Sequence, residues 1–323
     1  MNRFRAGWLA TLALLGVLLT ACSTAYAPTP LPTPTSTAVA TSSASPTTSA
    51  APPVTCDNAT TSYAALSPLP AAASVGGRLG EIVKRGYLIA GVSSDSLLLG
   101  SRNPLTGAIE GFDIDILREL ARAIFGDPGK VKFTVITAAQ RIPVLQDRSV
   151  DVVARNMTMT CARWQQIAFS SEYYHAGQKV LVRKGSTAAK LEDLAGQSVC
   201  APNGTSSMTT LAKYPTVKAV GSDTHTGCLV LFQQGQVAAI TGDDTVLAGL
   251  AAQDPYAVVP TSAPITAEPY GLGFNKDDVD FVKYANGVLE QLRTSGRWKA
   301  IYDTWLAGPL GPAPTPPAAV YGR

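Results

Sequence analysis

A-R-N-M-T-M-T-C-A-R at 154–163 is the stretch on which the reading of this chain turns. It continues from Val-Asp-Val-Val-Ala at 150–154, whose length and β-branched content mark a buried strand. That strand empties into a polar segment carrying Asn156, Thr158, Thr160 and Arg163. In open α/β sheets, ligands bind beyond the carboxyl ends of strands, where loop amides and short side chains are free to meet them. Thr160 is placed to cap a short helix at 161–166, because its hydroxyl can accept from a free first-turn amide. Arg163 then projects from the first turn. A guanidinium held there can fork two hydrogen bonds onto a planar carboxylate, with Thr158 and Asn156 completing the shell. The simpler alternative is an arginine on a solvated helix face.

Toward the N-terminus, Arg3 and Arg5 precede an apolar run at 8–20 that is short for a membrane span and has the proportions of a secretory h-region. Leu19-Thr20-Ala21-Cys22 matches the lipobox of bacterial lipoproteins, which predicts a signal peptide at 1–21 and acylation of Cys22. Residues 22–55 are dominated by Thr, Pro, Ser and Ala, a composition that cannot bury a core and reads as an extended tether. The globular part is therefore expected outside the cytoplasm, anchored to the cell membrane by lipid.

That part has roughly 250 residues, enough for one large domain or two smaller lobes. The net charge of +3 is modest and the basic residues are scattered, which argues against a nucleic-acid partner. Cys56, Cys161, Cys200 and Cys228 remain in an oxidising compartment. An even number there predicts two disulfides, with three connectivities open. With no C-x-x-C and only His175 and His225 as histidines, neither a metal site nor a cofactor is expected.

Strands and helices alternate along the chain. A strand at 87–92 leads into the polar Ser93-Ser94-Asp95-Ser96, and a turn at 103–107 precedes a helix with Ile114, Leu117, Ala121 and Ile124 on one face, capped by Asp113 and stopped at Gly126. Strands at 131–136 and 150–154 follow, with Arg141 opening a short helix or turn between them. After a strand at 179–183, helices and strands alternate afresh to residue 252. A long amphipathic helix then starts at Asp277 or Asp278 and stops at Gly296, a last helix covers 297–306, and the Pro-rich end is expected to be disordered. Such alternation predicts βαβ units and largely parallel sheets.

G-F-D-I-D-I at 111–116, T-M-T-C-A-R at 158–163, F-S-S-E-Y-Y at 169–174, G-T-S-S at 204–207, G-D-D-T-V-L-A-G at 242–249 and E-P-Y-G-L-G at 268–273 occur in one order. Together, across about 78 to 306, they resemble the family 3 extracellular solute-binding proteins, amino-acid receptors of ABC importers, and within these the actinobacterial glutamine/glutamate/aspartate-binding lipoproteins. The resemblance implies a bilobed Venus flytrap of the type II periplasmic-binding-protein class, with two doubly wound α/β lobes joined by two hinge crossings near 174–180 and 263–271. Residues 56–77 form an N-terminal extension, 78–175 and 270–306 lobe 1, 180–262 lobe 2, and 308–323 the tail. A disulfide between lobes that must open would lock them, so the resemblance also implies Cys200 with Cys228 and Cys56 with Cys161.

The family's ligand set maps onto this chain residue by residue. The arginine at Arg163 grips the α-carboxylate with help from Thr158, and Gly204-Thr205-Ser206 offers amides at a helix start. Asp243 matches the aspartate that receives the ammonium. For the last two features, ordinary N-capping is the alternative. Arg141 matches the position at which acidic-amino-acid receptors bind the distal carboxylate, and His225 stands at the offset of their ligand-facing histidine. Glutamine-preferring relatives place an aromatic residue near Ala138, and this chain does not. Ser93 and Asp95 are further candidates for the pocket floor.

The resemblance thus implies a monomeric receptor that closes on aspartate or glutamate, with asparagine or glutamine tolerated, and serves an ABC permease or, alternatively, a membrane signalling protein. A few secreted dehydratases share this fold, and Glu172, His225 and Asp243 are the acid or base candidates for such chemistry. No nucleophile pairs with a base at a recognisable spacing, so an enzyme is not expected.

Overall fold

The computed structural model describes residues 56–323, so the expectations for the signal peptide, Cys22 and the tether lie outside the described residues. Among the described residues, no helix is long and apolar enough to cross a membrane.

Helix α1 (Gly77–Arg85) precedes strand β1 (Leu88–Val92), after which α2 (Phe112–Phe125) crosses to β2 (Val131–Val135), and α3 (Pro143–Gln146) leads to β3 (Val152–Val153). These strands pair in parallel in the order β2-β1-β3, joined by the helical crossovers that parallel neighbours need. Helix α4 (Cys161–Trp164) and β4 (Ala168–Phe169) follow. Then β5 (Tyr174–Arg183) leaves the first sheet and enters a second.

The second sheet repeats the first's plan. β6 (Ser198–Pro202), α5 (Ser206–Leu211), β7 (Lys218–Ser222), α6 (His225–Gln233), β8 (Ala239–Asp243) and α7 (Asp244–Gln253) give the parallel order β7-β6-β8. β5 closes it antiparallel to β8 and to β9 (Ala257–Val258). β10 (Ala267–Tyr270) returns antiparallel to the start of β5, and β11 (Gly273–Phe274) inserts antiparallel between β3 and β4. The sheets are therefore mixed rather than largely parallel, because β11 in the first and β5 in the second run antiparallel to their neighbours.

Helices α8 (Val279–Thr294) and α9 (Arg297–Trp305) pack back onto the first half. There Trp298 stacks on Tyr302 and meets Phe112 edge-on, while its indole donates to Tyr173 O (2.7 Å). Aromatic packing of this kind contributes about 0.5–1.5 kcal/mol per pair beyond area burial. It fixes Tyr173, whose hydroxyl donates to Asp113 (2.7 Å).

Three local expectations are corrected. Gly111, at φ 141°, caps α2, and Asp113 lies inside the first turn, buried. Asp278 is the N-cap of α8 but makes no capping bond, since its carboxylate accepts from Arg148 (2.7 Å). The Pro-rich end is ordered: Val320–Tyr321 pairs with Thr61–Ser62, Tyr321 donates to Glu290 (2.6 Å), and Arg323 lies over the Trp164 ring. Proline cannot build a ladder, but it does not prevent a segment from docking on a finished core.

Both disulfides form as expected. Cys56–Cys161 ties the start of the described chain to α4, and Cys200–Cys228 joins β6 to α6 within the second half.

Candidate functional site

The opening stretch behaves as its residues dictate. Thr160 caps α4, its hydroxyl accepting from Arg163 N (3.3 Å). Arg163 is thereby turned inward and is 8% exposed, which removes the solvated-face alternative. Its Nη1 donates to Thr158 O (2.7 Å) and its Nη2 to Gly204 O (3.2 Å), at the head of α5 in the other half. Arg141 reaches the same carbonyl through Nη2 (3.1 Å), while its Nη1 donates to Arg155 O and Asn156 O and its Nε to Ala138 O. Four of its five N–H groups are thus held by backbone carbonyls. Burial, then the neighbouring Arg163 and Arg155 charges, push the Arg141 pKa down.

Gly204 must be glycine on two counts. Its φ is +73°, and a Cβ there would lie 2.7 Å from Ala139 Cα in the first half. The two halves are in backbone contact at this point, so the cleft is closed.

Glu268, on the crossing strand β10, ties the closed halves together. Its Oε2 accepts from Thr158 Oγ1 and from Ser206 Oγ, each at 2.6 Å, and its Oε1 accepts from Thr266 Oγ1 (2.6 Å). The Thr205 hydroxyl has a local role: it accepts from Met208 N (3.1 Å) and donates to Pro202 O (2.7 Å), as an ordinary cap does.

Asp243 does not cap α7, although it occupies the N-cap position; the local bond, Thr245 N to Asp244 Oδ1 (2.7 Å), belongs to its neighbour. Asp243 Oδ2 accepts instead from Tyr270 OH (2.7 Å), and its Oδ1 is buried without a partner. Burial, then the nearby Glu268 charge, raises its pKa to about 7. A buried carboxylate so placed favours a cation. Its charge and that of Glu268 both reach Arg163.

Further along the cleft the groups are less satisfied. His225 is buried, neither ring nitrogen has a partner, and burial followed by the Arg155 charge lowers its pKa to about 3. The imidazole is therefore neutral, with one donor and one acceptor. Gly242 leaves it room, since a Cβ there would lie 3.0 Å from Nε2. Asn156, at φ 38°, donates its backbone N–H to Asp113 Oδ2 (2.8 Å), and its Oδ1 is buried without a partner. Asp113, buried and accepting from Asn156 N and Tyr173 OH, has its pKa raised by burial to about 6. Ser93 is buried and donates to Asp95 (2.8 Å), and Thr226 Oγ1 of α6 donates to Asp95 O (3.0 Å) across the halves. Burial alone would raise the Asp95 pKa, but the hydroxyls of Ser93 and Thr224 hold it below its ordinary value. Glu172 pairs with His175 (2.7 Å) beside the crossing.

Of the ligand candidates, Thr158 meets Ser206, Arg141 and Arg163 meet Gly204, and Asp95 meets Thr226 across the halves, while Ser93, Asn156, His225 and Asp243 are buried, Thr205 is confined to capping, and Glu172 pairs with His175 instead. Sequence reasoning missed four contributors: Arg155, Asp113, Glu268 and Tyr270. Arg155 and Asp113 lay inside quoted stretches, Arg155 with no role assigned and Asp113 read as a helix cap. Glu268 and Tyr270 belong to E-P-Y-G, whose role depends on a strand crossing between sheets.

Residues 88–308 match the bacterial extracellular solute-binding proteins, family 3. The ABC transporter glutamine-binding protein GlnH of Bacillus subtilis is 35% identical over 230 residues, 71% of this chain and 84% of that protein. The glutamate-binding protein GluB of Corynebacterium efficiens is 30% identical over 67% of this chain and 78% of its own. Among solved structures, a mutant of ArgBP from T. maritima superposes with a TM-score of 0.65 at 31% identity, covering 71% of this chain and 98% of its own. The fold is that of the type II periplasmic amino-acid-binding proteins, and the chain belongs to the bacterial extracellular solute-binding proteins of family 3.

Proposed function

We propose that the protein binds a free polar amino acid, acidic by preference, between its two halves and delivers it to an ABC importer. The observation that carries this reading is the opposed pair Arg163 and Asp243. They come from different halves, Arg163 from α4 and Asp243 from the end of β8, both are buried, and Asp243 Oδ1 lacks any protein partner. An α-amino acid has a carboxylate for the first and an ammonium for the second, and satisfying both once water is expelled requires closure. Thr158 and the loop Gly204-Thr205-Ser206 complete the carboxylate end. Asn156, Arg141, His225, Ser93 and Asp95 line the side-chain end.

Two considerations favour an acidic side chain: three buried guanidiniums surround the cleft, and the small Ala138 is buried at its wall. An importer partner is favoured by the relative that bears the name of an ABC transporter component. Lipid attachment through Cys22, a monomeric state and the absence of catalysis belong to the same proposal.

Thermal-shift screening of the twenty amino acids tests it, since a ligand of the folded state raises apparent stability by RT ln(1 + [L]/Kd). Glutamate and aspartate should give the largest shifts and asparagine or glutamine smaller ones. A response confined to sugars or peptides would remove the proposal.

A further inference from the structure

Three buried arginines reach the cleft, and the protein engages them unequally. Arg163 and Arg141 both donate to Gly204 O, and Arg141 has one N–H left. Arg155 is 1% exposed and donates through Nε to Ile136 O (2.8 Å), while its Nη1 is buried with no partner. The carboxylates whose charge reaches it are engaged elsewhere. Asp95 accepts from Ser93 Oγ, and Asp113 accepts from Asn156 N and Tyr173 OH. Two other unsatisfied buried groups accompany Arg155, the neutral His225 ring and Asn156 Oδ1.

We infer that Arg155 is the specificity-determining residue of this cleft, donating from Nη1 to the distal carboxylate of an acidic amino acid. The inference deepens the amino-acid reading above and rests on it. A carboxylate arriving at this end meets two kinds of donor, the Arg155 guanidinium and the N–H of neutral His225. A side-chain amide meets the same histidine, can donate to Asn156 Oδ1, and offers Arg155 Nη1 only a neutral carbonyl oxygen. A charged acceptor on this charged donor makes the shorter and stronger bond, and a guanidinium can meet both carboxylate oxygens, so the arginine separates acid from amide. Arg141 offers a ligand only one N–H, because its other four hold carbonyls of both halves. Arg155 directly follows the strand-like run at 150–154, at the carboxyl end of β3 where an α/β sheet presents its ligand-reading residues.

Calorimetric titration of the full chain with L-glutamate, L-aspartate and L-glutamine, for the natural protein, Arg155→Gln and Arg155→Lys, tests the assignment. Arg155→Gln should weaken glutamate and aspartate by about 100-fold while changing glutamine by less than about threefold. Arg155→Lys retains charge without the fork and should lower the glutamate-to-glutamine affinity ratio by about tenfold. If Arg155→Gln fails to fold, the lysine variant decides, and a ratio unchanged within about threefold overturns the inference. Equal losses for acid and amide in Arg155→Gln also overturn it, since they would mark a residue that only supports Ile136. Failure of the natural protein to bind any of the three amino acids would instead remove the underlying reading.

Discussion

The two ends of the cleft differ in how far the protein satisfies its own groups. At the Arg163 end, Gly204 O, Glu268, Thr158 and Ser206 form a bonded set spanning both halves. At the His225 end, Arg155 Nη1, Asn156 Oδ1 and both imidazole nitrogens are buried without partners. Asp243 combines both conditions, one oxygen bonded to Tyr270 and the other free. The bonded end specifies closure around whatever all amino acids share, and the unbonded end leaves its donors and acceptors for whatever distinguishes them. Changes at the first should therefore alter every ligand alike, and changes at the second should alter selectivity.

The largest expected effect comes from Arg163→Ala. Removing one partner of a buried charge pair costs about 2–5 kcal/mol, so the affinity for every amino acid should fall roughly 30- to 4000-fold in titration calorimetry. Loss for acidic ligands alone would erase the distinction between the ends.

Asp243→Asn should come next. The neutral amide resembles the protonated form that the buried site favours, so ligand-free melting should be unchanged or higher. Ammonium-bearing ligands should weaken about 100-fold. The pH sign agrees: with a folded pKa raised to about 7, the closed ligand-free form holds a proton that the unfolded chain releases near pH 3.8. Its contribution from this residue is therefore lost as pH rises through about 7. The Asn variant should not show that component.

Gly204→Ala sharpens the comparison by acting on closure alone. A positive φ of 73° and the approach to Ala139 oppose any Cβ. A cost of about 1–2 kcal/mol lowers the population of the closed form, and all ligands should weaken by about tenfold with their ranking preserved. A changed ranking in the titrations would show that this loop reads side chains.

At the other end the expected effect is read as a pH slope of stability and not as a change of affinity. His225 has its pKa depressed to about 3, so its contribution to stability is present above pH 6.5 and lost as pH falls toward 3. Relative to His225→Asn, the natural protein should lose up to about 1.4 kcal/mol per pH unit within that window. Parallel denaturation curves for the two proteins from pH 6.5 to 4 would contradict the buried neutral ring.

Much of this arrangement was legible in the residues. The alternation of strand and helix located both sheets, and Thr160 followed by Arg163 defined a cap and a projecting guanidinium that the structure reproduces. Both disulfides followed from the two-lobed resemblance. What escaped depended on contacts distant in sequence. Asp113 has the spacing of a helix cap, but Gly111 takes that place and Tyr173, 60 residues away, recruits the carboxylate. Glu268 looks like one polar residue before a proline until β10 crosses between sheets, where it meets Thr158 and Ser206. Composition identified the Pro-rich end as unable to form a core, but not that Val320–Tyr321 would find Thr61–Ser62 as an edge. Arg155 sits just past the strand read at 150–154 with nothing in its spacing to mark it, and only its bonded and unbonded donors separate it from Arg141.

The central claim is that Arg163 and Asp243 hold opposite charges of one zwitterion. The most direct test titrates the natural protein with the amino acid selected by the thermal panel and with its two analogues, one lacking the α-ammonium and one lacking the α-carboxylate. Each analogue should bind at least about 100-fold more weakly than the parent. Binding of either analogue within about threefold of the parent would contradict the account.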